Sequence, residues 1–237
     1  MPQPPEPDQD DASPYHTPVD PQVAAECARG NALIQPLFER HSARVFIISG
    51  PSGVGKDSVI EKLQKVYRDA CYVVTATSRA MRPGEIDGVH YRFLEREDFE
   101  RRIAAGFFVE HALVYDNLYG VPRQPIVEGL AAGKHVIVKV DVEGAATLRD
   151  LIPSAVSIFL LPESMDALWQ RLHHRKTEPP EVIVKRFRTA CVELEQIDTF
   201  DYVVFNEADK LKDALKHIVT IIEAEQRRVA QPPITLD

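Results

Sequence analysis

The 237-residue chain has only three cysteines, Cys27, Cys71 and Cys191, far apart and in no C-x-x-C pair. That excludes a zinc knuckle, a dithiol redox motif and a disulfide framework, and it fits a reducing compartment. No apolar run approaches the ~20 residues that cross a bilayer as a helix, so no membrane partner is expected. A basic surplus is also missing. Lys and Arg number 28 against 36 Asp and Glu, a net charge of −8, with a pI near 5.5. Proteins that grip DNA or RNA polymers depend on a basic footprint, so that class is excluded. One bound nucleotide is not excluded, because a single phosphate site needs only a few local cations. The chain shows no internal repeat.

What is present divides into a tail and a body. Residues 1–22 hold seven prolines and five acids and no Lys or Arg. Such a segment buries too little apolar area to offset its ordering entropy, and a disordered leader is expected. It lacks the basic and apolar regions of a signal peptide, and it is too acidic for a transit peptide. Weak helical periodicity over 23–42 predicts a short extra helix within a tail of 1–42, and residues 230–237 read as a loose end. The body, 43–229, is long enough to bury a core without staples. Apolar runs at 45–48, 72–77, 107–114, 136–140, 156–161 and 202–205 predict strands. Helical spacing predicts helices over 57–67, 98–105, 126–132, 143–150, 164–173, 181–197 and 211–227. This alternation predicts an α/β fold, a parallel sheet with helices on both faces.

The strongest chemical signal follows the first strand. Gly50-Pro51-Ser52-Gly53-Val54-Gly55-Lys56-Asp57-Ser58 is G-x-x-x-x-G-K between an apolar strand and a helix, the context of a phosphate-binding P-loop. Glycines let successive N–H groups turn inward, the helix start adds its positive end, and Lys56 supplies a mobile charge. Asp57 stands where Ser or Thr usually ligates Mg²⁺. A carboxylate beside a polyphosphate costs about 4 kcal/mol per unit-charge pair at ~4 Å unless a cation intervenes. Asp57 therefore either faces a metal or points to solvent and complements the helix dipole. Ser58 lies about 100° further round the helix and is a poor substitute ligand.

With these motifs in order, residues 44–229 resemble the guanylate kinases, P-loop enzymes that phosphorylate GMP. Gly-Val-Gly-Lys-Asp, Val-Thr-Ala-Thr-Ser-Arg and Lys-Val-Asp-Val-Glu-Gly look most like the cyanobacterial and plastid branch. The resemblance implies a P-loop NTPase core (43–74 and 122–229), an inserted GMP-binding lobe (75–121) and a lid (171–188). It implies ATP with Mg²⁺ at the P-loop, GMP and dGMP as acceptors, and a cytoplasmic monomer or homodimer.

Family site residues carry over position by position. Arg79 and Arg82 match an R-x-x-R pair that forks onto the acceptor phosphate, and Tyr91 and Tyr119 match its two tyrosines. Glu110 and Asp141 match the carboxylates that accept from guanine N1 and N2, and Thr75 matches a hydroxyl there. Adenine would oppose an acceptor to a carboxylate and is expected to be rejected. Val121 replaces a further family hydroxyl. Lys139 replaces an Asp that organises the Mg²⁺ water shell in many members. Lys139 either pairs with Asp57, the metal-facing carboxylate having moved to the P-loop, or snorkels outward. Arg171, Arg175 and Arg186 match lid arginines that neutralise the moving phosphoryl charge. Asn206 matches a strand-end residue that helps close the nucleotide site. Two other readings compete: a ribose 1,5-bisphosphate-type phosphokinase sharing the Gly-Lys-Asp-Ser wording, and a non-catalytic guanylate-kinase-like interaction module.

Overall fold

The computed structural model describes residues 20–38, 42–114, 116–174, 179–229 and 234, which fall into two units. The first is a lone helix, α1 (Pro21–Phe38). It begins two residues before the periodicity predicts. The Asp20 carboxylate caps it, accepting from the Gln22 amide at 2.8 Å, and Pro21 takes a first position whose N–H would be orphaned anyway. Most of the expected leader, residues 1–19, lies outside the described residues, as do 175–178 of the lid and most of 230–237.

In the second unit the chain runs β1 (Val45–Ser49), α2 (Lys56–Val66), β2 (Ala70–Val73), β3 (Ala76–Thr77), β4 (Arg92–Phe93), α3 (Arg96–Ala104), β5 (Phe108–Val114), β6 (Asn117–Pro122), α4 (Arg123–Ala131), β7 (His135–Lys139), α5 (Val142–Leu151), β8 (Val156–Leu161), α6 (Met165–His173), α7 (Pro180–Leu194), β9 (Tyr202–Phe205) and α8 (Leu211–Gln226). Five strands form a parallel sheet in the order β2-β7-β1-β8-β9. Alternate residues of β1 face opposite sides. Phe46 and Ile48 join the core under α2 and α8, while Val45 and Ile47 join the core with Ile126 of α4 and Leu148 of α5. Burial on both faces explains why the central strands β1, β7 and β8 read as unbroken apolar runs.

The second sheet, β4-β3-β6-β5, is mostly antiparallel and has its own small core, in which Phe99 of α3 stacks on Phe108 of β5 with ring centroids 4.5 Å apart. Here the sequence expectation needs correcting. The run 72–77 is not one strand. Val73 pairs with Val138 in the parallel sheet, whereas Ala76 pairs with Gly120 in the second, and residues 74–75 carry the chain across. β6 also escaped the strand reading, because Asn117, Gly120 and Pro122 are depleted from strands and read as turn. The predicted helix 181–197 stops at Leu194, and a 3₁₀ turn, Ile197–Thr199, follows.

The carboxyl ends of β1, β7 and β8 point to one edge, the usual ligand edge of an open parallel sheet. α2 leaves β1 there and is pinned by Val59 and Leu63, both fully buried. Leu63→Ala is expected to lower the unfolding free energy by about 2–5 kcal/mol, read as a lower urea midpoint at unchanged m-value.

Candidate active site

The turn from β1 into α2 is dictated by its glycines. Gly50 has φ 142°, and a Cβ there would lie 2.5 Å from the Leu160 carbonyl oxygen on β8. Gly55 caps α2 at φ 99°, where a Cβ would lie 2.6 Å from Asn206 Nδ2. Side chains at these positions would unwind the loop. Asn206 follows β9 and donates to the Val54 carbonyl at 2.8 Å, so it braces the loop from behind. Lys56 folds back onto the Gly50 carbonyl and also reaches Pro51 O at 3.4 Å. Burial lowers its pKa, while Glu193, Asp141 and Asp57 pull in the opposite direction.

The loop opens into a cavity of about 450 Å³ that also holds Thr75, Arg79, Arg82, Tyr91, Glu110, Tyr119, Asp141 and Arg186. Residues from the P-loop, the second sheet and α7 thus share one space. Gly50 and Ser58 do not line it, since Gly50 packs behind on β8 and Ser58 sits on the exposed side of α2. Arg171 does not line it either. It sits on the outer side of the loop, bonded to Glu163 at 2.6 Å, Asn206 O at 2.9 Å and Val54 O at 3.4 Å. Arg175 lies outside the described residues.

On the second-sheet side, Arg79 makes a two-pronged bond to Glu85 at 2.8 and 3.0 Å, and the same carboxylate accepts from the Arg82 amide at 2.7 Å. Burial works against the Arg79 charge, but Glu85 and Tyr119 outweigh it and raise its pKa. The Arg79 guanidinium lies 5.6 Å over the Tyr91 ring, and Tyr91 and Tyr119 meet edge to face at 6.0 Å.

Deeper in, the polarity reverses. Asp141 caps α5 by accepting from the Gly144 amide at 2.7 Å. A Cβ on Gly144 would lie 3.1 Å from Glu110 Oε1 and 3.2 Å from Asp141 Oδ1, so both carboxylates crowd one point. Glu110, 5 % exposed, is pushed up to about 8 by burial and by the charges of Asp141 and Glu143. The Thr75 hydroxyl oxygen is buried, with no hydrogen-bond partner among the described residues. An orphaned hydroxyl and two crowded acids thus line the same cavity, a set of polar groups that a polar ligand can satisfy. Val121, opposite Glu110 on β6, is fully buried and offers no polar atom.

Lys139 does not snorkel outward. It ends β7, is 8 % exposed and bonds Asp57, while its ammonium lies 4.0 Å over the Tyr91 ring. Burial opposes its charge, but Tyr91 and Asp57 hold its pKa above the ordinary value. Asp57 keeps 47 % of its side chain exposed. Among the described residues no three His, Cys, Asp or Glu side chains gather to hold a metal. One open carboxylate beside a phosphate cradle fits a Mg²⁺ carried in by a nucleotide, which needs only one or two carboxylates besides phosphate oxygens.

One site residue escaped the sequence reading. Glu193 of α7 accepts from the Ser52 amide at 3.0 Å, while Arg186, two turns earlier, donates to Ser52 Oγ at 2.9 and 3.1 Å. Burial raises the Glu193 pKa, and Lys56 pulls it down. The only signal available was spacing: Arg186 and Glu193 are seven apart, on one helix face.

The family model described as guanylate kinase matches residues 42–225. The chain is 43% identical over 203 residues to "Guanylate kinase 2, chloroplastic/mitochondrial" of Oryza sativa subsp. japonica, covering 85% of this chain and 71% of that one. It is 40% identical to the guanylate kinase of Carboxydothermus hydrogenoformans, covering 78% and 90%. The solved guanylate kinase of Anaplasma phagocytophilum superposes with a TM-score of 0.66 at 29% identity, over 80% of this chain and 89% of that one. With its parallel core, P-loop and attached second sheet, the chain belongs to the guanylate kinase family.

Proposed function

We propose that the protein transfers the γ-phosphoryl group of ATP to GMP, giving ADP and GDP, and that dGMP is also accepted. The observation that carries this reading is the single cavity that joins a P-loop to an acidic, hydroxyl-bearing pocket through a band of cations. Guanine presents donors at N1 and N2, which suit Glu110, Asp141 and Thr75. A nucleoside monophosphate oriented base-inward points its phosphate at Arg79, Arg82, Tyr91 and Tyr119. A branch of cyanobacterial or plastid type is supported by Gly-Val-Gly-Lys-Asp, by Lys139-Val140-Asp141 and by the rice relative.

The chemistry is an in-line displacement. An oxygen of the acceptor phosphate forms a bond to the γ-phosphorus as the bond to the β,γ-bridging oxygen breaks, and ADP leaves with that electron pair. The amides of the Gly53–Asp57 turn and Lys56 hold the donor phosphates, and Arg186 steadies the loop through Ser52. Lid arginines Arg171 and Arg175 would add charge on closure, which requires Arg171 to leave Glu163. Mg²⁺ bound with ATP would be held by Asp57 and would neutralise β- and γ-phosphate charge.

The test is ADP release with ATP and Mg²⁺ and, as acceptor, GMP, AMP, UMP or ribose 1,5-bisphosphate. GMP turnover at least ~100-fold above AMP is expected, in line with a site whose buried acceptors would be left unpaired. Turnover of the ribose ester alone, or nucleotide binding without any turnover, contradicts the reading.

Glu110 also predicts a pH dependence. Guanine requires the carboxylate, whereas the empty pocket keeps Glu110 protonated up to about 8. GMP affinity is therefore expected to rise between pH 6.5 and 8 and then level off, with proton release on binding in calorimetry. Stability has the opposite sign. The folded state binds the extra proton above the ordinary carboxylate range, so this group's contribution is lost as pH rises toward 8. Glu110→Gln is expected to flatten the stability loss and to weaken GMP binding by at least about tenfold. A GMP affinity that does not vary across this range would contradict the assignment.

A further inference from the structure

We propose that Lys139 is a second transfer cation, standing between donor and acceptor phosphates, with Asp57 and Tyr91 as the residues that position it. The proposal rests on the phosphotransfer reading and assigns a role that reading does not require.

The first support is position. Lys139 is the last residue of β7, at the ligand edge of the sheet, and it lines the cavity between the start of α2 and the acceptor-side tyrosine. Its two contacts join elements far apart in the chain: Asp57 belongs to the P-loop helix and Tyr91 to the inserted lobe. Two other cations are held elsewhere. Lys56 is drawn back on the Gly50 carbonyl, and Arg79 is gripped by Glu85 beside the acceptor tyrosines. Lys139 touches both the P-loop helix, through Asp57, and the inserted lobe, through Tyr91.

The second support is the residue type. The rest of β7 is Val136-Ile137-Val138 after His135, all buried. A lysine that ends such a strand carries a charge into a buried position, which is unfavourable unless it is paired. Asp57 supplies the pairing and remains half-exposed, so it can release Lys139 to a ligand oxygen without becoming a stranded buried anion. Tyr91 supplies a ring face on which the ammonium rests in either state.

The third support is chemical need. The acceptor phosphate and the γ-phosphoryl are both anionic and must come within bonding distance. A cation fixed between them removes the repulsion and stabilises the charge spread over the moving group in the transition state. A lysine suits this role, because its compact charge sits on a flexible stem.

A purely structural ion pair makes different predictions, and kinetics separates the two. Lys139→Met and Lys139→Arg are assayed with GMP and ATP, alongside calorimetric GMP binding without ATP and thermal melting. The proposal expects Lys139→Met to lower kcat about 100-fold or more, with both KM values, GMP affinity and the melting temperature little changed. Lys139→Arg should retain kcat within about tenfold of the wild type, because the charge survives. It is overturned if Lys139→Met keeps more than about a third of kcat. A loss confined to KM for either substrate, or one that tracks a fall in melting temperature, overturns it as well. If the wild type does not phosphorylate GMP at all, the phosphotransfer reading falls and takes this assignment with it. If the wild type turns GMP over and the variant is unaffected, this assignment alone falls.

Discussion

Charge inside the cavity is paired before any phosphate arrives, and the rest of the site depends on that arrangement. Lys139 rests on Asp57, Arg79 on Glu85 and Lys56 on the carbonyl of its own loop, and outside the cavity Arg171 rests on Glu163. A partly buried cation without a partner would be strongly unfavourable, so each is held by an anion or a dipole that a phosphate oxygen can replace. Exchange of one partner for another yields little net binding energy per contact. Its value is geometric, since the donors are already aimed when charge begins to move. The base end follows the reverse rule. Glu110 and Asp141 crowd together, and burial with repulsion from Asp141 and Glu143 makes Glu110 a poor anion in the empty pocket. Under the proposed function, a cationic path that ends in an acidic pocket would orient a nucleoside monophosphate one way round, phosphate toward the P-loop.

The fold produces this polarity through the ends of its strands. β1 delivers the P-loop, β7 delivers Lys139 and, two residues on, Asp141, and the turn after β9 delivers Asn206. The second sheet hangs from the end of β2 and returns through α4 into β7, so Arg79, Arg82, Tyr91 and Tyr119 enter the cavity from outside the main sheet. α7 closes the third side, where Arg186 and Glu193 grip the side chain and amide of Ser52.

Much of this was legible in the chain itself. β1, the P-loop and α2 were readable because an apolar run, fixed glycines and helical spacing agree. The buried parallel strands were readable because they are apolar on both faces. The Asp57–Lys139 contact is one of the two alternatives that complementary charge changes 82 residues apart leave open, and packing decides between them. The break at residues 74–75 was not readable, because local β propensity is continuous across it and only the pairing partner changes. β6 was missed because its glycine and proline serve packing and strand exit rather than a turn: a Cβ on Gly120 would lie 2.8 Å from Phe108. Glu193 was invisible because an acid on a helix reads as solvated until the partner helix face is known. The outward seat of Arg171, on Glu163, depends on a side-chain contact that spacing on its own helix does not reveal.

Under the proposed function, donor and acceptor nucleotides occupy one continuous cavity with their phosphates meeting near Lys56 and Lys139. The most direct measurement is calorimetric binding of a bisubstrate ligand, adenosine and guanosine joined 5′ to 5′ through five phosphates. Joining the two halves makes the second contact intramolecular, so its Kd is predicted to be at least ~100-fold lower than that of ATP or GMP alone, at a stoichiometry of one. Affinity no better than that of the tighter single nucleotide, or simultaneous binding of free GMP beside the bisubstrate ligand, would contradict a shared cavity.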